Sequence, residues 1–147
     1  MPSNSTPSKI HFHFLKRSHS LTHRTPLKTF IATLFKKEGK KLGDIHYIFC
    51  SDDYLLEINR QHLKHDYYTD IITFGLSDPG YPINAEIYIS VDRVRDNARQ
   101  FNDTFKKELH RVIFHGALHL CGYKDKKPRD QELMRKMEDK YLRLYFR

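Results

Sequence analysis

The stretch from Thr104 to Cys121 constrains this chain most. At about 100° per residue, Leu109, Val112, Ile113, Gly116, Ala117 and Leu120 span one broad arc, and Phe114 and Leu118 cover the opposite side. A helix that is apolar nearly all round after Arg111 must be covered nearly all round, so the rest of the chain has to pack about it. The only polar side chains it carries between Arg111 and Cys121 are His115 and His119. Imidazoles placed there need partners, because an unpaired buried polar group costs about 1–3 kcal/mol.

Four residues apart on a helix, His115 and His119 leave the same face about one turn apart. That spacing lets two nitrogens reach one metal ion at roughly 2.0–2.1 Å each. Gly122 is where such a helix stops, as a left-handed cap, and Asp125 falls three residues later. The pattern H-x3-H-x2-G-x2-D thus offers two imidazoles and a carboxylate, with a fourth position left for water. That is the composition of a catalytic zinc site rather than a closed structural one. Two histidines at this spacing are often ordinary packed or surface residues; the glycine, the carboxylate and the apolar helix favour the metal reading. His110 lies about 140° round from His115 and reads as structural.

Around this helix the pattern predicts one mixed domain over residues 9–147, preceded by a loose Ser/Pro-rich tail at 1–8. Ile10, Phe12 and Phe14 alternate with His11 and His13, a strand in which the two histidines face solvent. Thr25 as N-cap and Pro26 in the first turn open a helix with Leu27, Phe30, Ile31, Leu34 and Phe35 on one face, ended by Gly39 and Gly43. A strand at 45–50 follows, then a short helix capped by Ser51 and closing near Asn59. Residues 70–76 and 86–90 read as strands joined through Asp78-Pro79-Gly80. Ser90 caps a helix with Val91, Val94, Ala98 and Phe101 on one face. A last helix starts near Pro128 and carries Leu133, Met134, Met137, Tyr141 and Leu144. The expected class is α+β, with about four strands and five helices.

Composition narrows the partners. Twenty-six Lys and Arg against eighteen Asp and Glu give a formal charge of +8, a field that favours polyanions such as nucleic acid. No apolar run approaches the roughly 20 residues that span a bilayer, so no membrane role is expected. Cys50 and Cys121 read as small buried hydrophobes rather than a disulfide framework, which points to a reducing, cytoplasmic setting.

The His spacing resembles that of the zincin metallopeptidases, but Gly116 stands where those proteins carry a general-base Glu. Residues 115–125 as a whole resemble the signature of the YbeY family of rRNA-maturation endoribonucleases, H-G-x-L-H-L-x-G-Y-D-H. The match holds at His115, Gly116, Leu118, His119, Leu120, Gly122 and Tyr123. Upstream, Ile58-Asn59, Asp66, Thr69-Asp70 and Ile71-Ile72-Thr73-Phe74 are similar to the family's L-N-x-x-Y-R-x-x-D-x-P-T-D-V-L-S-F, and Glu86 to Ile89 to its G-D-I-x-I strand. The resemblance spans roughly residues 45–147.

The resemblance implies a single zincin-like α+β domain, one divalent ion, Zn2+ first, and metal-dependent cleavage of single-stranded RNA during rRNA processing. It departs at two points. Asp125 occupies the place of the family's third His ligand, and a carboxylate is a harder donor. His62 and Leu63 stand where the family has an aromatic and an Arg, and Leu63 cannot bind a phosphate; Arg60, Lys64 and His65 are the nearby substitutes.

No catalytic side chain is assigned beyond water bound to the metal, with Glu86 as a possible proton carrier. Lys64, Lys124, Lys126, Lys127 and Arg129 are the candidates for the RNA backbone, and Tyr67, Tyr68 and Tyr81 for stacking bases. Two other readings stand beside the endoribonuclease: a non-catalytic RNA-binding ribosome-assembly factor with a structural metal, and a metallopeptidase.

Overall fold

The computed structural model describes residues 8–15 and 21–147. Most of the expected tail, residues 1–7, and His19 lie outside the described residues. The elements in chain order are β1 (Ile10–Phe14), α1 (Arg24–Lys37), β2 (Leu42–Cys50), α2 (Asp52–Leu63), β3 (Ile71–Gly75), β4 (Ile83–Ser90), α3 (Val91–Gln100), α4 (Phe105–Leu120) and α5 (Pro128–Phe146). The class is α+β. The strands form one sheet in the order β1-β2-β4-β3, in which β1, β2 and β4 are parallel and β3 pairs antiparallel with β4 at the edge.

Alternation along the strands sorts the two faces. Ile10, Phe12 and Phe14 on β1, Ile45, Tyr47 and Phe49 on β2, and Ala85, Ile87 and Ile89 on β4 join one core with α1, α4 and α5. Helix α4 is the centre of that core. Ten of its residues from Glu108 to Leu118 are buried, His115 alone interrupting the run. Tyr47, fully buried, donates its hydroxyl to the Ile113 carbonyl at 2.9 Å and so fastens sheet to helix. The other face carries Cys50 and Ile72, covered by Leu55 of α2 with Ile58, Phe74 and Tyr88 packed beside them. His11 and His13 alternate away from the main core as expected, and stack with His46 of β2 at 4.5 and 5.1 Å between ring centroids.

Gly116 sets how closely α4 approaches the sheet. A Cβ built there would lie 3.0 Å from Ile71 Cδ1 and 3.1 Å from Ile87 Cδ1 and Cγ2. Gly122, at φ 108°, turns the chain out of α4, with its N–H donating to the His119 carbonyl at 3.0 Å and that of Tyr123 to the Leu118 carbonyl at 3.1 Å.

Several boundaries differ from the sequence pattern, each for a local reason. Helix α1 starts one residue before Thr25, after a left-handed His23 that makes no side-chain cap, so Thr25 is helical rather than capping. Gly39 follows α1 at φ 73°, but Gly43 lies inside β2, where a Cβ would sit 2.5 Å from Asn84 Oδ1 and 2.7 Å from the Ile83 carbonyl. Helix α2 runs past Asn59 to Leu63, because Asn59 is buried and spends its side-chain amide on the Tyr67 carbonyl at 2.9 Å instead of ending the helix. Phe101 and Leu133, expected on buried faces, are 60% and 48% exposed. The caps from Ser51 and Ser90 form as predicted, accepting from the Tyr54 and Arg93 amides.

Candidate metal centre

The last two turns of α4 present His115 half-buried and His119 exposed, and the turn after Gly122 brings Asp125 back over the helix. Asp125 Oδ2 lies 3.1 Å from His115 Nε2. On the far side of the ring, His115 Nδ1 is 2.7 Å from Glu138 Oε2 of α5. The His119 Nδ1 is 3.2 Å from the Tyr123 carbonyl. The Glu138 carboxylate and the Tyr123 carbonyl can only accept, so both Nδ1 atoms carry a hydrogen; the charged His115 ring also donates from Nε2 to Asp125, and a metal ion would take the place of that hydrogen.

Glu138 does not stand alone. It is 5% exposed, and its Oε1 accepts from Arg111 Nη1 at 3.1 Å. Arg111 Nη2 donates to Asp139 Oδ1 at 2.8 Å, while its buried Nε finds no hydrogen-bond partner among the described residues and lies 4.0 Å from Glu108 Oε1. Burial works against a charged His115 ring, but the hydrogen bond and charge of Glu138, with Asp125 and Asp70 behind it, outweigh burial and raise its pKa above the ordinary histidine value. Burial itself raises the acids nearby, Asp70 above its ordinary value and Glu108 up to about 7.

A cavity of about 410 Å³ opens beside His115. Its walls include Asp70, Glu108, Asp125 and Glu138 against only Arg111 and Arg135, with Thr69, Asn97 and Phe101 nearby. Such a lining offers a cation several oxygen donors. A divalent ion fits this donor set. Two imidazoles whose Nδ1 atoms are already engaged, beside a carboxylate, are what zinc and similar ions take. The 3.1 Å between Nε2 and Oδ2 is close to the roughly 3.3 Å separating two ligands of a tetrahedral ion at about 2.0–2.1 Å. Among the described residues no three His, Cys, Asp or Glu side chains stand as a finished cage. His115 and Asp125 are paired, and the exposed His119 is the third donor of the set.

Gly116 is buried against Ile71 and Ile87, on the sheet side of α4, and offers no open backbone to a substrate. The structure corrects one expectation about this site. Glu86 is not beside His115. It alternates with Ala85 and Ile87, which face α4, so it points to the opposite side of the sheet, where it accepts from the Tyr88 hydroxyl at 3.0 Å.

Lys64, Lys124, Lys126, Lys127 and Arg129 are all exposed, the last four on the turn around Asp125 and the start of α5. Tyr67, Tyr68 and Tyr81 are exposed too, but Arg93 sits 5.2 Å over the Tyr68 ring and covers one face of it. Leu63, at the end of α2, is 40% exposed. His110 is a packing residue, 3% exposed and stacked on Tyr145.

Sequence reasoning passed over Arg111, Glu138, Glu108 and Asp70. A signal was present for Glu138: it shares the buried stripe of α5 with Met134, Tyr141 and Leu142, and a carboxylate on an apolar stripe calls for a partner.

Known proteins are similar to this chain over most of its length. A solution structure of a Thermotoga maritima protein superposes with a TM-score of 0.60 at 31% identity, over 92% of this chain and 89% of that one. A protein of Cytophaga hutchinsonii named endoribonuclease YbeY is 51% identical over 86% of this chain and 88% of its own length. One of Phocaeicola vulgatus with the same name is 57% identical over 72% of this chain and 76% of its own. The sequence model of that family, described as endoribonuclease YbeY, matches residues 14–145 and so spans β2 to α4 and the His115–Asp125 turn together. The chain belongs to the endoribonuclease YbeY family.

Proposed function

We propose that this protein is a metal-dependent endoribonuclease that cuts single-stranded RNA during rRNA maturation in the cytoplasm, with one divalent ion, Zn2+, held by His115, His119 and Asp125. The observation that carries the metal reading is the pair of engaged Nδ1 atoms, on Glu138 and on the Tyr123 carbonyl, with the Asp125 carboxylate facing His115 Nε2. The relatives carry the reaction class: the proteins that match most of the chain are named endoribonucleases. The acid-lined cavity supports the ion a second time, since carboxylate oxygens are donors to a divalent cation and not to a phosphate.

When bound, a divalent ion supplies Lewis acidity toward a phosphate oxygen and makes its water more acidic. The chain's own residues have separate tasks. Glu138 and the Tyr123 carbonyl hold the two rings by Nδ1. Lys124, Lys126, Lys127 and Arg129, exposed around Asp125, attract the RNA backbone, and Lys64 adds charge at the end of α2. Tyr81 is exposed enough to stack a base, whereas Tyr67 already has the His65 ring stacked on one face.

Leu63 in the family's Arg position motivates the second reading, an RNA-binding assembly factor without catalysis. A peptidase is disfavoured by Gly116, which faces Ile71 and Ile87 with no room for the longer side chain zincins need.

The test is cleavage of single-stranded RNA by the purified protein, with and without chelator, beside the His115→Ala/His119→Ala variant. Activity lost under both treatments and restored to the wild type by Zn2+ is expected. Cleavage that survives both overturns the metal reading. Absent cleavage, with unchanged RNA affinity in the double variant, establishes the binding factor.

A further inference from the structure

We propose that Glu138, anchored by Arg111, is the positioning residue that fixes the His115 ring for metal capture and thereby sets the affinity of the centre; this rests on the metal reading above. His115 has one carboxylate on each nitrogen, and the two differ in kind. Asp125 sits on an exposed turn, its side chain 41% accessible, whereas Glu138 is 7% accessible and clamped from behind. The Arg111 guanidinium spans α4 and α5, giving one nitrogen to Glu138 at 3.1 Å and another to the adjacent Asp139 at 2.8 Å. Its side chain is 8% accessible, so the clamp operates away from water.

Two consequences follow from that difference. Glu138 meets Arg111 through Oε1 and His115 through Oε2, so moving it off Nδ1 also disturbs its ion pair and leaves the buried guanidinium to Asp139 alone, and weakening a buried pair is costly. The Nδ1 hydrogen therefore stays in place, and Nε2, which donates to Asp125 in the charged ring, is the nitrogen that opens to an ion when its proton leaves. The Asp125 carboxylate, on its exposed turn, is free to exchange a direct contact with the ring for a shared ion. Stability alone does not account for a buried Arg–Glu pair, since well-packed apolar side chains of the same volume serve as well. Orienting a ligand does account for it: carboxylates behind metal-binding histidines typically change metal affinity by 10–100-fold.

The experiment compares wild type, Glu138→Gln, Glu138→Leu and Asp139→Asn, the last removing Arg111's other anchor without touching His115. Zn2+ affinity is measured by competition with a chromophoric chelator, and thermal stability is measured on the same samples. The tautomer of the neutral His115 ring is read from long-range proton–nitrogen NMR at high pH, its signal assigned by absence from His115→Ala. Glu138→Gln, nearly isosteric, is expected to weaken Zn2+ binding 10–100-fold and to deplete the Nδ1–H form, while Asp139→Asn changes neither. Should Glu138→Leu fail to fold, Glu138→Gln still reads both quantities.

Wild-type affinity and an unchanged tautomer in Glu138→Gln overturn the proposal and leave the metal reading standing. Equal losses of affinity in Glu138→Gln and Asp139→Asn, tracking stability, reduce Glu138 to a structural tie and overturn it as well. A wild type that binds no Zn2+ removes the metal reading, and with it the proposed affinity role of Glu138.

Discussion

Single side chains in this protein are set by what touches their second polar atom. His110 and His115 lie five residues apart on one helix and behave oppositely. His110 gives its Nδ1 hydrogen to the Lys106 carbonyl at 2.7 Å and buries the rest of its ring among Phe114, Tyr145 and Phe146. Burial holds its pKa below the ordinary histidine value. The folded protein therefore binds this proton less readily than the unfolded chain. Stability from His110 is complete above about pH 6.5 and is lost as pH falls below it toward the folded pKa. His46 has the same sign, lowered first by burial and then by the charges of His11 and His13. His115, raised by Glu138, has the reverse sign: its contribution is complete below about pH 6.5 and lost as pH rises through the folded pKa. Replacing His110 by Phe isolates the first effect. Urea unfolding of His110→Phe at a series of pH values is expected to lose less stability than wild type between pH 6.5 and the acid limit. Parallel curves for the two proteins would show that His110 is not the buried neutral ring described.

At the scale of elements, the decisive contact is α4 against β3 and β4. Adding a methyl at Gly116 improves helix propensity by roughly 0.5–1 kcal/mol, but overpacking a core costs typically 1–3 kcal/mol. Ile71 and Ile87 are both β-branched, and three of their atoms lie 3.0–3.1 Å from the added Cβ, so crowding wins. Gly116→Ala is expected to lower stability by about 1 kcal/mol, and Gly116→Val by more, as measured by chemical denaturation. An alanine variant as stable as wild type would mean that the helix can lift off the sheet freely. This contact also shows what the sequence could carry. The apolar girth of α4, the Gly122 stop and the Ser51 and Ser90 caps are local signals, and all appear as read. The tertiary use of Gly116 is invisible locally, because a glycine beside two histidines looks the same whether it faces a sheet or a substrate. Asn59 misleads for the same reason: its side chain serves the Tyr67 carbonyl across a loop, not the end of its own helix.

For the whole molecule, charge and site pull in different directions. The chain carries a formal +8, yet the cavity beside His115 is lined by four carboxylates and two arginines. The basic residues lie outside it, at Lys124, Lys126, Lys127 and Arg129. Such a division suits a protein that gathers a polyanion on its surface and handles one phosphate at a bound cation. The return of Asp125 to His115 was legible from spacing because a helix turn and its stop are local. Glu138 and Arg111 were not, because their meeting depends on how α5 lies across α4. The most direct test of the central claim is anomalous X-ray scattering at the zinc edge from crystals of the protein loaded with Zn2+. The account predicts one peak within about 2.0–2.2 Å of His115 Nε2, His119 Nε2 and a carboxylate oxygen of Asp125. No peak there, or a peak elsewhere with Asp125 still paired to His115, would contradict it.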